Sequence, residues 1–396
     1  MRLSSSIGRF AAVKIALAGM MAAMLVACGA PGAGGGGPGG ASFTQSTGAV
    51  KVALLLPVTS SGSTPAVAKA LKQAAELALF DFDNPNVSLV PKDTKGTPDG
   101  ARLAAESAIK DGAELIIGPL FAQEVAGAAP VARQAGIPMI AFSSDEKVAG
   151  NGVYLLSFQA GRDVPRIVSF AMSKGKRSFA QLVPQSPYGR VAESAFAKAV
   201  SGGGGETSVR AAFPTDDSNA MLGPVRQIAN AIKGGQKVDA LFLPAGREEL
   251  PSLAPLLASS DLTSGRLQFV GTGQWDYPNI GGEKALVGGW YPAPDPKGWS
   301  NFVQRYSKTY GSVPPRLASL AYDAVSLAVS LSQNPPGQRY DMGQLTRASG
   351  FAGIDGLFRL LPDGTCERGL AILEVREGGP VVIDPAPSSF ATASSY

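Results

Sequence analysis

The chain of 396 residues contains two cysteines and no histidine, which limits the chemistry open to it. A serine or cysteine nucleophile activated by histidine, and a zinc ion held by histidine, both need an imidazole group. These classes of site are therefore excluded. Pairs of carboxylates could still perform acid–base chemistry, but no spacing of acidic residues requires that function. We expect no catalytic activity, no metal and no cofactor.

Cys28 ends an N-terminal segment that is typical of an exported protein. Basic residues precede an apolar run of about 13 residues, Ile15–Ala27, which is shorter than the roughly 20 residues that span a bilayer. The tetrad Leu25–Cys28 resembles a bacterial lipobox. We therefore predict a signal peptide over residues 1–27 and acyl chains on Cys28 that bind the protein to a membrane. The alternative is an ordinary signal peptide followed by an incidental cysteine.

Residues 28–48 are rich in glycine and have almost nothing to bury, so they are predicted to form a flexible tether. Its end-to-end distance would be roughly 25 Å. By resemblance to known lipoprotein sorting, Gly29 after the cysteine favours the outer membrane. We expect a lipid-anchored protein in the periplasm.

The charge of the mature chain argues against a nucleic-acid partner. The signal peptide holds Arg2, Arg9 and Lys14 and no acid, so its removal takes the formal charge from +4 to +1. The sequence shows no basic patch interleaved with aromatic residues. We expect no nucleic acid among the partners.

Cys366 follows a turn between two predicted strands, Gly356–Leu360 and Ala371–Val375. If Cys28 is acylated, Cys366 has no cysteine left to pair with. We interpret it as an unreactive thiol in a loop.

Apolar strands alternate with amphipathic helices from Val50 onward. Val52–Leu56 is a continuous apolar run, as expected for a strand that is buried on both faces. The same alternation restarts after Arg162. This pattern predicts an α/β fold of two doubly wound parallel-sheet lobes, joined by a hinge, with a ligand cleft at the carboxyl ends of the strands.

The predicted boundaries divide the chain between these two lobes. Lobe 1 is expected to comprise residues 49–160 plus 291–340, and lobe 2 residues 161–290 plus 350–385. Residues 386–396 are expected to form a C-terminal tail.

Several segments, in their order and spacing, resemble the Leu/Ile/Val-binding family of type I periplasmic binding proteins. These segments are Val52–Pro57, Glu114–Leu120, Gly136–Ile140, Pro187–Gly189 and Ala321–Ala324. The resemblance extends from Val50 to about Val375. It implies a cleft that closes on a small solute through a hinge motion.

The resemblance also implies positions for ligand-binding residues. In the amino-acid binders of the family, two hydroxyl residues of lobe 1 receive the ligand carboxylate. Here those positions fall on Glu124 and Asp145, or on Gln123 and Ser144 if the correspondence is shifted by one residue. The acid that holds the ligand ammonium would fall within Gly271–Gln274, which contains no carboxylate.

Of the implied binding groups, only a covering aromatic residue is kept, as Tyr188. Two carboxylates would repel a ligand carboxylate in a partly desolvated cleft by several kcal/mol, so a free amino acid is a poor ligand on this interpretation. The structural alternative is that Glu124 is a charge in the first turn of a helix and Asp145 an N-cap.

Further residues are predicted to line the cleft because they follow strand-like segments. They are Ser60, Ser61, Phe121, Ser143, Gln274 and Trp275. Trp275, Tyr277, Trp290 and Tyr291 could stack on a ligand or form part of an interface with a partner. They could equally pack at the hinge.

Three segments also resemble the binding-protein-like domain of penicillin-binding-protein activator lipoproteins. They are Glu114–Leu120, Gln181–Ser186 and Gly271–Asp276. This resemblance favours a regulator of peptidoglycan synthesis, with a peptidoglycan synthase (a penicillin-binding protein) as its partner. The alternative is the solute-binding component of an ABC importer, which presents an amino acid or another small solute to an ABC permease.

Overall fold

The computed structural model describes residues 48–83 and 85–390. The predicted signal peptide, Cys28 and the tether as far as residue 47 lie outside the described residues, as do residues 391–396. Within the described ranges, no helix has both the length and the apolar character needed to cross a lipid bilayer.

Lobe 1 is built on a parallel five-stranded sheet with the order β2-β1-β3-β4-β5. Its strands are β1 Val50–Leu56, β2 Val87–Asp93, β3 Leu115–Ile117, β4 Met139–Ala141 and β5 Val153–Leu155. The connecting helices are α1 Thr64–Phe80, α2 Pro98–Lys110 and α3 Ala122–Gln134.

Lobe 2 is built on a seven-stranded sheet with the order β15-β14-β10-β9-β8-β6-β7. Strands β6 to β10 pair in parallel, whereas β14 and β15 add two antiparallel strands at one edge. The strands are β6 Ser178–Pro184, β7 Glu206–Phe213, β8 Ala240–Phe242, β9 Gln268–Val270, β10 Trp290–Ala293, β14 Ala371–Glu374 and β15 Val381–Asp384. The helices are α4 Val164–Ser173, α5 Pro187–Gly202, α6 Leu222–Lys233 and α7 Leu250–Ser259.

The chain then returns to lobe 1 through helices and a third, antiparallel sheet. The helices are α8 Pro296–Tyr310, α9 Ala318–Leu331 and the short α10 Met342–Leu345, and the sheet consists of β11 Phe351–Gly353, β12 Gly356–Leu360 and β13 Cys366–Arg368. The Leu155 N–H donates a 2.7 Å hydrogen bond to the Gly364 carbonyl, which joins this sheet's β12–β13 turn to β5.

Two of the predicted lobe boundaries were wrong. The expectation placed residues 291–340 in lobe 1, but β10 pairs with β9 and β14 in the sheet of lobe 2. It placed residues 350–385 in lobe 2, but Phe351, Phe358 and Leu360 are buried in the core of lobe 1. The apolar side chains of β11 and β12 pack with those of α1 and α9 in the core of lobe 1. Of the strands in residues 350–385, only β14 and β15 join the sheet of lobe 2.

The predicted C-terminal tail begins with ordered structure. Phe390 is buried, and the guanidinium group of Arg359 lies 4.6 Å from the centre of its ring. The first residues of this segment therefore pack against the folded protein.

Both faces of each parallel sheet are covered by helices, and the alternation of side chains along the strands divides the core accordingly. In β1, Val52, Leu54 and Leu56 pack toward α1 and α9, whereas Ala53 and Leu55 pack toward α2 and α3. Each fully buried leucine contributes about 1.5–3 kcal/mol relative to an exposed one. Strands buried on both faces read as continuous apolar runs for this reason.

Close packing between α2 and α3 depends on Gly127. A Cβ atom at this position would overlap the carbonyl oxygen of Pro98, in the first turn of α2. We expect Gly127→Ala to lower the free energy of unfolding by about 2 kcal/mol, because backbone atoms must move apart. Urea denaturation measures this loss.

Gly223 provides the matched control for this substitution. It also lies in a helix, but a Cβ atom there would meet nothing within 4 Å. Gly223→Ala should leave stability unchanged or raise it by up to about 1 kcal/mol. Equal effects of the two substitutions would contradict the packing account.

Candidate functional site

Loops at the carboxyl ends of the parallel strands carry most of the polar side chains predicted to meet a ligand. In lobe 1 these loops follow β1, β3 and β4, and in lobe 2 they follow β6, β8 and β9. The first crossover, residues 156–163, links β5 of lobe 1 to α4 of lobe 2. Ligands of open α/β sheets bind at this edge of the sheet.

Glu124 does not face a ligand, which corrects the prediction from the sequence. Its carboxylate is fully buried, accepts the Phe121 N–H at 2.9 Å and accepts the hydroxyl of the buried Thr94. These contacts are those of an N-terminal cap of α3. Burial raises the pKa of this carboxyl, and the two hydrogen bonds oppose the shift.

Asp145 is exposed and caps the 3₁₀ turn Glu146–Val148. Its carboxylate accepts the Lys147 N–H at 3.0 Å, and its own N–H donates to Ser143 Oγ at 3.2 Å. Ser143 is buried, whereas Ser144 is exposed. The contacts observed for Glu124 and Asp145 are those of the structural alternative, so a free amino acid is no longer disfavoured by two carboxylates facing it.

The remaining lobe 1 candidates lie in two loops. Ser60 is partly buried and donates from Oγ to the Pro57 carbonyl at 3.0 Å, and Ser61 is exposed. Phe121 is 36% exposed at the start of α3. Gln123 is exposed and donates from Nε2 to the Gly96 carbonyl at 3.1 Å. Their role in ligand binding stays a prediction.

In lobe 2, a carboxylate from a distant part of the chain lies beside the loop Gly271–Gln274, which contains no carboxylate of its own. Asp163, at the end of the first crossover, accepts the Gly273 N–H through Oδ2 at 2.5 Å. Its Oδ1 is buried and has no hydrogen-bond partner within the described part of the chain. Burial raises the pKa of Asp163, and nearby backbone N–H groups, foremost that of Gly273, oppose the shift. Oδ1 of Asp163 could therefore still accept a hydrogen bond from a donor group.

Tyr188 lies next to this carboxylate. Its hydroxyl donates to Thr272 Oγ1 at 2.7 Å, and Thr272 is fully buried at the end of β9. Burial raises the pKa of Tyr188, and the charge of Asp163 raises it further. The tyrosine therefore stays a neutral donor and acceptor near Asp163.

Trp275 does not line the ligand-binding edge, contrary to the prediction. It is 0% exposed, donates from Nε1 to the Leu243 carbonyl at 3.1 Å and lies in the core of lobe 2 beside Tyr291. Trp290 packs edge-on against Phe170. These aromatic residues form packing contacts, whereas the neighbouring Gln274 is exposed.

Cys366 begins strand β13 and is buried, so it is not a loop residue as predicted. Its N–H donates to Gln159 Oε1 at 3.1 Å, which attaches the strand to the first crossover. Burial raises the pKa of the thiol to about 11. Cys366 is therefore a protonated, poorly nucleophilic thiol at neutral pH.

The sequence and the two parallel sheets of the lobes both indicate the family to which the chain belongs. A family model described as "Periplasmic binding protein" matches residues 49–380. The chain therefore belongs to the periplasmic binding proteins, and its fold is that of the type I, Leu/Ile/Val-binding-like class. Members of this family are solute-binding proteins rather than enzymes, and membership implies a periplasmic location.

Individual relatives agree with this assignment. The Leu/Ile/Val-binding protein homolog 6 of Brucella melitensis is 26% identical over 192 residues, which cover 46% of this chain and 47% of the relative. The chain thus matches about half the length of that curated relative.

Solved structures share the fold. A protein of Rhodospirillum rubrum described as a branched-chain amino acid ABC transporter superposes with a TM-score of 0.74 at 20% identity, over 85% of this chain and 100% of the other. An ABC transporter solute-binding protein of R. palustris in complex with benzoate superposes with a TM-score of 0.56 at 20% identity, over 86% of this chain and 98% of the other.

If Glu124 caps α3, its removal should destabilise the folded protein. Glu124→Ala should lower the free energy of unfolding by about 1–3 kcal/mol, because the Phe121 N–H and the hydroxyl of the buried Thr94 lose their acceptor. Urea denaturation measures this change. Glu106→Ala, at an exposed position in α2, is the control and should change stability by at most about 0.5 kcal/mol. Equal, small losses for both variants would contradict the capping role.

Proposed function

We propose that this protein is the solute-binding component of an ABC importer and that it holds a small polar solute between the strand ends of its two lobes. The observation that carries the proposal is the group formed by Asp163, Tyr188 and Thr272 at the strand ends of lobe 2. Among the described residues, one oxygen of the Asp163 carboxylate has no hydrogen-bond partner, and the hydroxyls of Tyr188 and Thr272 form a neutral pair beside it.

The position of Asp163 suggests which chemical group a solute presents to lobe 2. A buried carboxylate with one free oxygen is stabilised by a donor, most strongly by a cationic one. An amino or guanidino group of a solute would meet Asp163 and the Tyr188 hydroxyl together. Amino acids are therefore suitable candidates, and the relative named as a Leu/Ile/Val-binding homolog supports the same class.

The lobe 1 loops would provide the opposite wall of the proposed site. Ser61 and Ser144 are exposed and offer hydroxyl groups, while Phe121 offers an exposed aromatic surface. Solute sites commonly combine an apolar surface with a few convergent polar groups. This wall would set which solute is accepted.

The partner and anchor follow from the proposed import function. An ABC permease would receive the solute, and acyl chains on Cys28 would keep the protein at a membrane. A fully extended tether of twenty residues reaches no more than roughly 70 Å. The sequence-based prediction of the outer membrane would place the protein across the periplasm from a permease, so we infer anchoring in the inner membrane for the import function.

The regulator hypothesis has less support. The segments that resemble activator lipoproteins form β3, the end of β6 and the loop after β9. The periplasmic binding protein model matches residues 49–380 and so includes all three segments, which therefore do not separate the two functions. A peptidoglycan synthase as partner stays a prediction.

A solute screen tests the proposed function. We expect the melting temperature of the purified protein to rise by several degrees with at least one member of a panel of amino acids, polyamines and aromatic acids. Isothermal titration calorimetry would then give the affinity. If every solute in the panel left the melting temperature unchanged while the protein co-purified with a peptidoglycan synthase, the import function would be wrong.

Substitutions in lobe 2 test where the solute binds. Asp163→Asn and Tyr188→Phe should each weaken binding of an amine-bearing solute by roughly tenfold or more, which is about 1.4 kcal/mol. Asp216→Asn, on an exposed loop, is the matched control and should bind like the unmodified protein. Circular dichroism confirms that each variant folds. Unchanged affinity in both lobe 2 variants would exclude this part of the proposed site.

A further inference from the structure

The end of α1 and the turn that follows it present two phenylalanine side chains to solvent. Phe80, the last residue of α1, is 73% exposed, and Phe82 is 36% exposed. Phe80 is the most exposed aromatic side chain among residues 48–83 and 85–390. An aromatic ring has a large apolar area that gains from leaving water. We call Phe80 and Phe82 the phenylalanine pair.

The acid between the two phenylalanines is engaged by the body of lobe 1. The Asp81 carboxylate accepts the hydroxyl of Tyr322, on α9, at 2.5 Å, and it also pairs with Arg305, on α8. The Asp81 N–H donates to the Leu77 carbonyl at 3.2 Å and so continues the last turn of α1. These contacts fix the turn and balance the charge of Asp81. Ordered structure therefore holds the phenylalanine pair at the surface.

The phenylalanine pair lies at the end of lobe 1 where the predicted tether joins the fold. The N–H of Val50, the first residue of β1, donates to the Asn86 carbonyl at 3.0 Å. Asn86 follows Phe82 by four residues, a separation of no more than roughly 14 Å along the chain. The residues that follow Cys28 and the tether thus enter the first sheet beside the pair.

The predicted acyl chains on Cys28 would keep this end of lobe 1 near a bilayer. A tether of about twenty residues has an end-to-end distance of roughly 25 Å. A second contact between the anchored protein and the same bilayer is then effectively intramolecular, with an effective concentration in the millimolar range. An apolar contact that is too weak to bind a free protein can therefore orient an anchored one.

We propose that the phenylalanine pair is a membrane-contact surface, which rests in the interface of the bilayer that holds the acyl chains of Cys28. This inference rests on the anchor included in the proposed function, and it adds a contact surface and an orientation. Aromatic residues on a membrane-facing surface are favoured at the boundary between headgroups and acyl chains. The partner of this surface is lipid rather than protein.

The charges beside the pair favour an apolar contact over an electrostatic one. The segment Phe80–Asp83 contains two acids and no basic residue. Asp81 is paired with Arg305, whereas Asp83 is exposed. Anionic lipids attract clusters of lysine and arginine, so they would not attract this turn. We therefore expect shallow insertion of the two rings that depends little on anionic lipid.

Contact at this end would direct the candidate site away from the bilayer. The phenylalanine pair lies near the amino ends of β1 and β2, whereas Ser60 and Ser61 follow the carboxyl end of β1. The seven residues of β1 separate these two ends by roughly 23 Å. The loops of the candidate site would thus stay open to solutes while the protein is anchored.

Fluorescence quenching tests the contact with the acylated protein reconstituted in phosphatidylcholine vesicles. Phe80→Trp introduces a reporter, and lipid brominated on its acyl chains quenches indole groups that lie near the hydrocarbon. The signal of the three native tryptophans is subtracted by means of the unmodified protein. We expect brominated lipid to remove at least about half of the added fluorescence, because the ring reaches the acyl boundary.

Leu103→Trp provides the matched control for this reporter. Leu103 is 54% exposed on α2, which covers the other face of the first sheet. Its added fluorescence should fall by less than about a tenth, because this face does not reach the acyl boundary. Equal quenching at the two positions, or none at position 80, would overturn the proposal.

Removal of the second phenylalanine tests whether the pair acts together. Phe82→Ser, introduced beside Phe80→Trp, should reduce the quenching by roughly twofold or more, because apolar area is lost from the contact. Met342→Ser removes a 60% exposed side chain from α10 and should leave the quenching unchanged. Circular dichroism checks the folding of each variant. Equal losses in the two variants would contradict a local contact.

The lipid composition of the vesicles offers an independent readout. Quenching of Phe80→Trp should change by less than about twofold when a third of the phosphatidylcholine is replaced by phosphatidylglycerol, because the turn carries no basic cluster. A strong increase with phosphatidylglycerol would show an electrostatic contact made by another surface, and it would contradict the proposal.

The outcomes separate this inference from the import function. If the protein floats with the vesicles but position 80 is not quenched, the anchor stands and the contact surface is wrong. If the protein does not float with them, the anchor and the contact surface both fall, while solute binding is still decided by calorimetry. If the protein forms a dimer that Phe80→Ser abolishes, the pair is a self-association surface and the membrane contact is wrong.

Discussion

Both parallel sheets are covered by helices on two faces, so only the strand ends are free to present polar groups to a solute. In β1, successive side chains enter two separate apolar cores, one on each side of the sheet. A polar residue in the middle of such a strand would be buried without a partner. The residues able to bind a solute therefore lie in the loops after the strands and in the segments that cross between the lobes.

The crossings between the lobes determine which of these loops come together. The chain passes from lobe 1 to lobe 2 through residues 156–163, returns between β10 and α8, and crosses again between β13 and β14. Asp163 at the end of the first crossing contacts the loop after β9, and the guanidinium groups of Arg316 and Arg368 lie 5.3 and 4.8 Å from the ring centre of Phe158 within the same crossing. This short segment thus contributes Asp163 to the proposed site.

Strong apolar runs made much of the fold predictable from the sequence. The continuous apolar run Val52–Leu56 predicts β1, whereas no comparable run marks β7. The sequence of β7 does alternate, with Val209, Ala211 and Phe213 buried, but the small Ala212 between two of them and the polar residues before Val209 weaken the signal of this edge strand. Short strands such as β10 and β11 carry no information about which sheet they join, and this explains the two wrong boundaries.

The candidate site was less predictable, because it depends on contacts between distant residues. Glu124 and Asp145 suit either a cap or a ligand contact by residue type, and only their hydrogen bonds identify them as caps. Asp163 precedes an apolar helix, as many N-caps do, and nothing local indicates that it meets Gly273, which lies 110 residues further along the chain. Tyr188 and Thr272 likewise lie 84 residues apart, and only the fold brings their hydroxyl groups together.

The central claim is that a solute binds at the strand ends of both lobes at once. Hydrogen–deuterium exchange followed by mass spectrometry, with and without a solute that raises the melting temperature, tests it directly. We expect slower exchange in the lobe 1 loops 57–63 and 142–145, the first crossover and the lobe 2 loop 271–276 at the same solute concentration. Protection confined to one lobe, or to the outer helices, would contradict the claim.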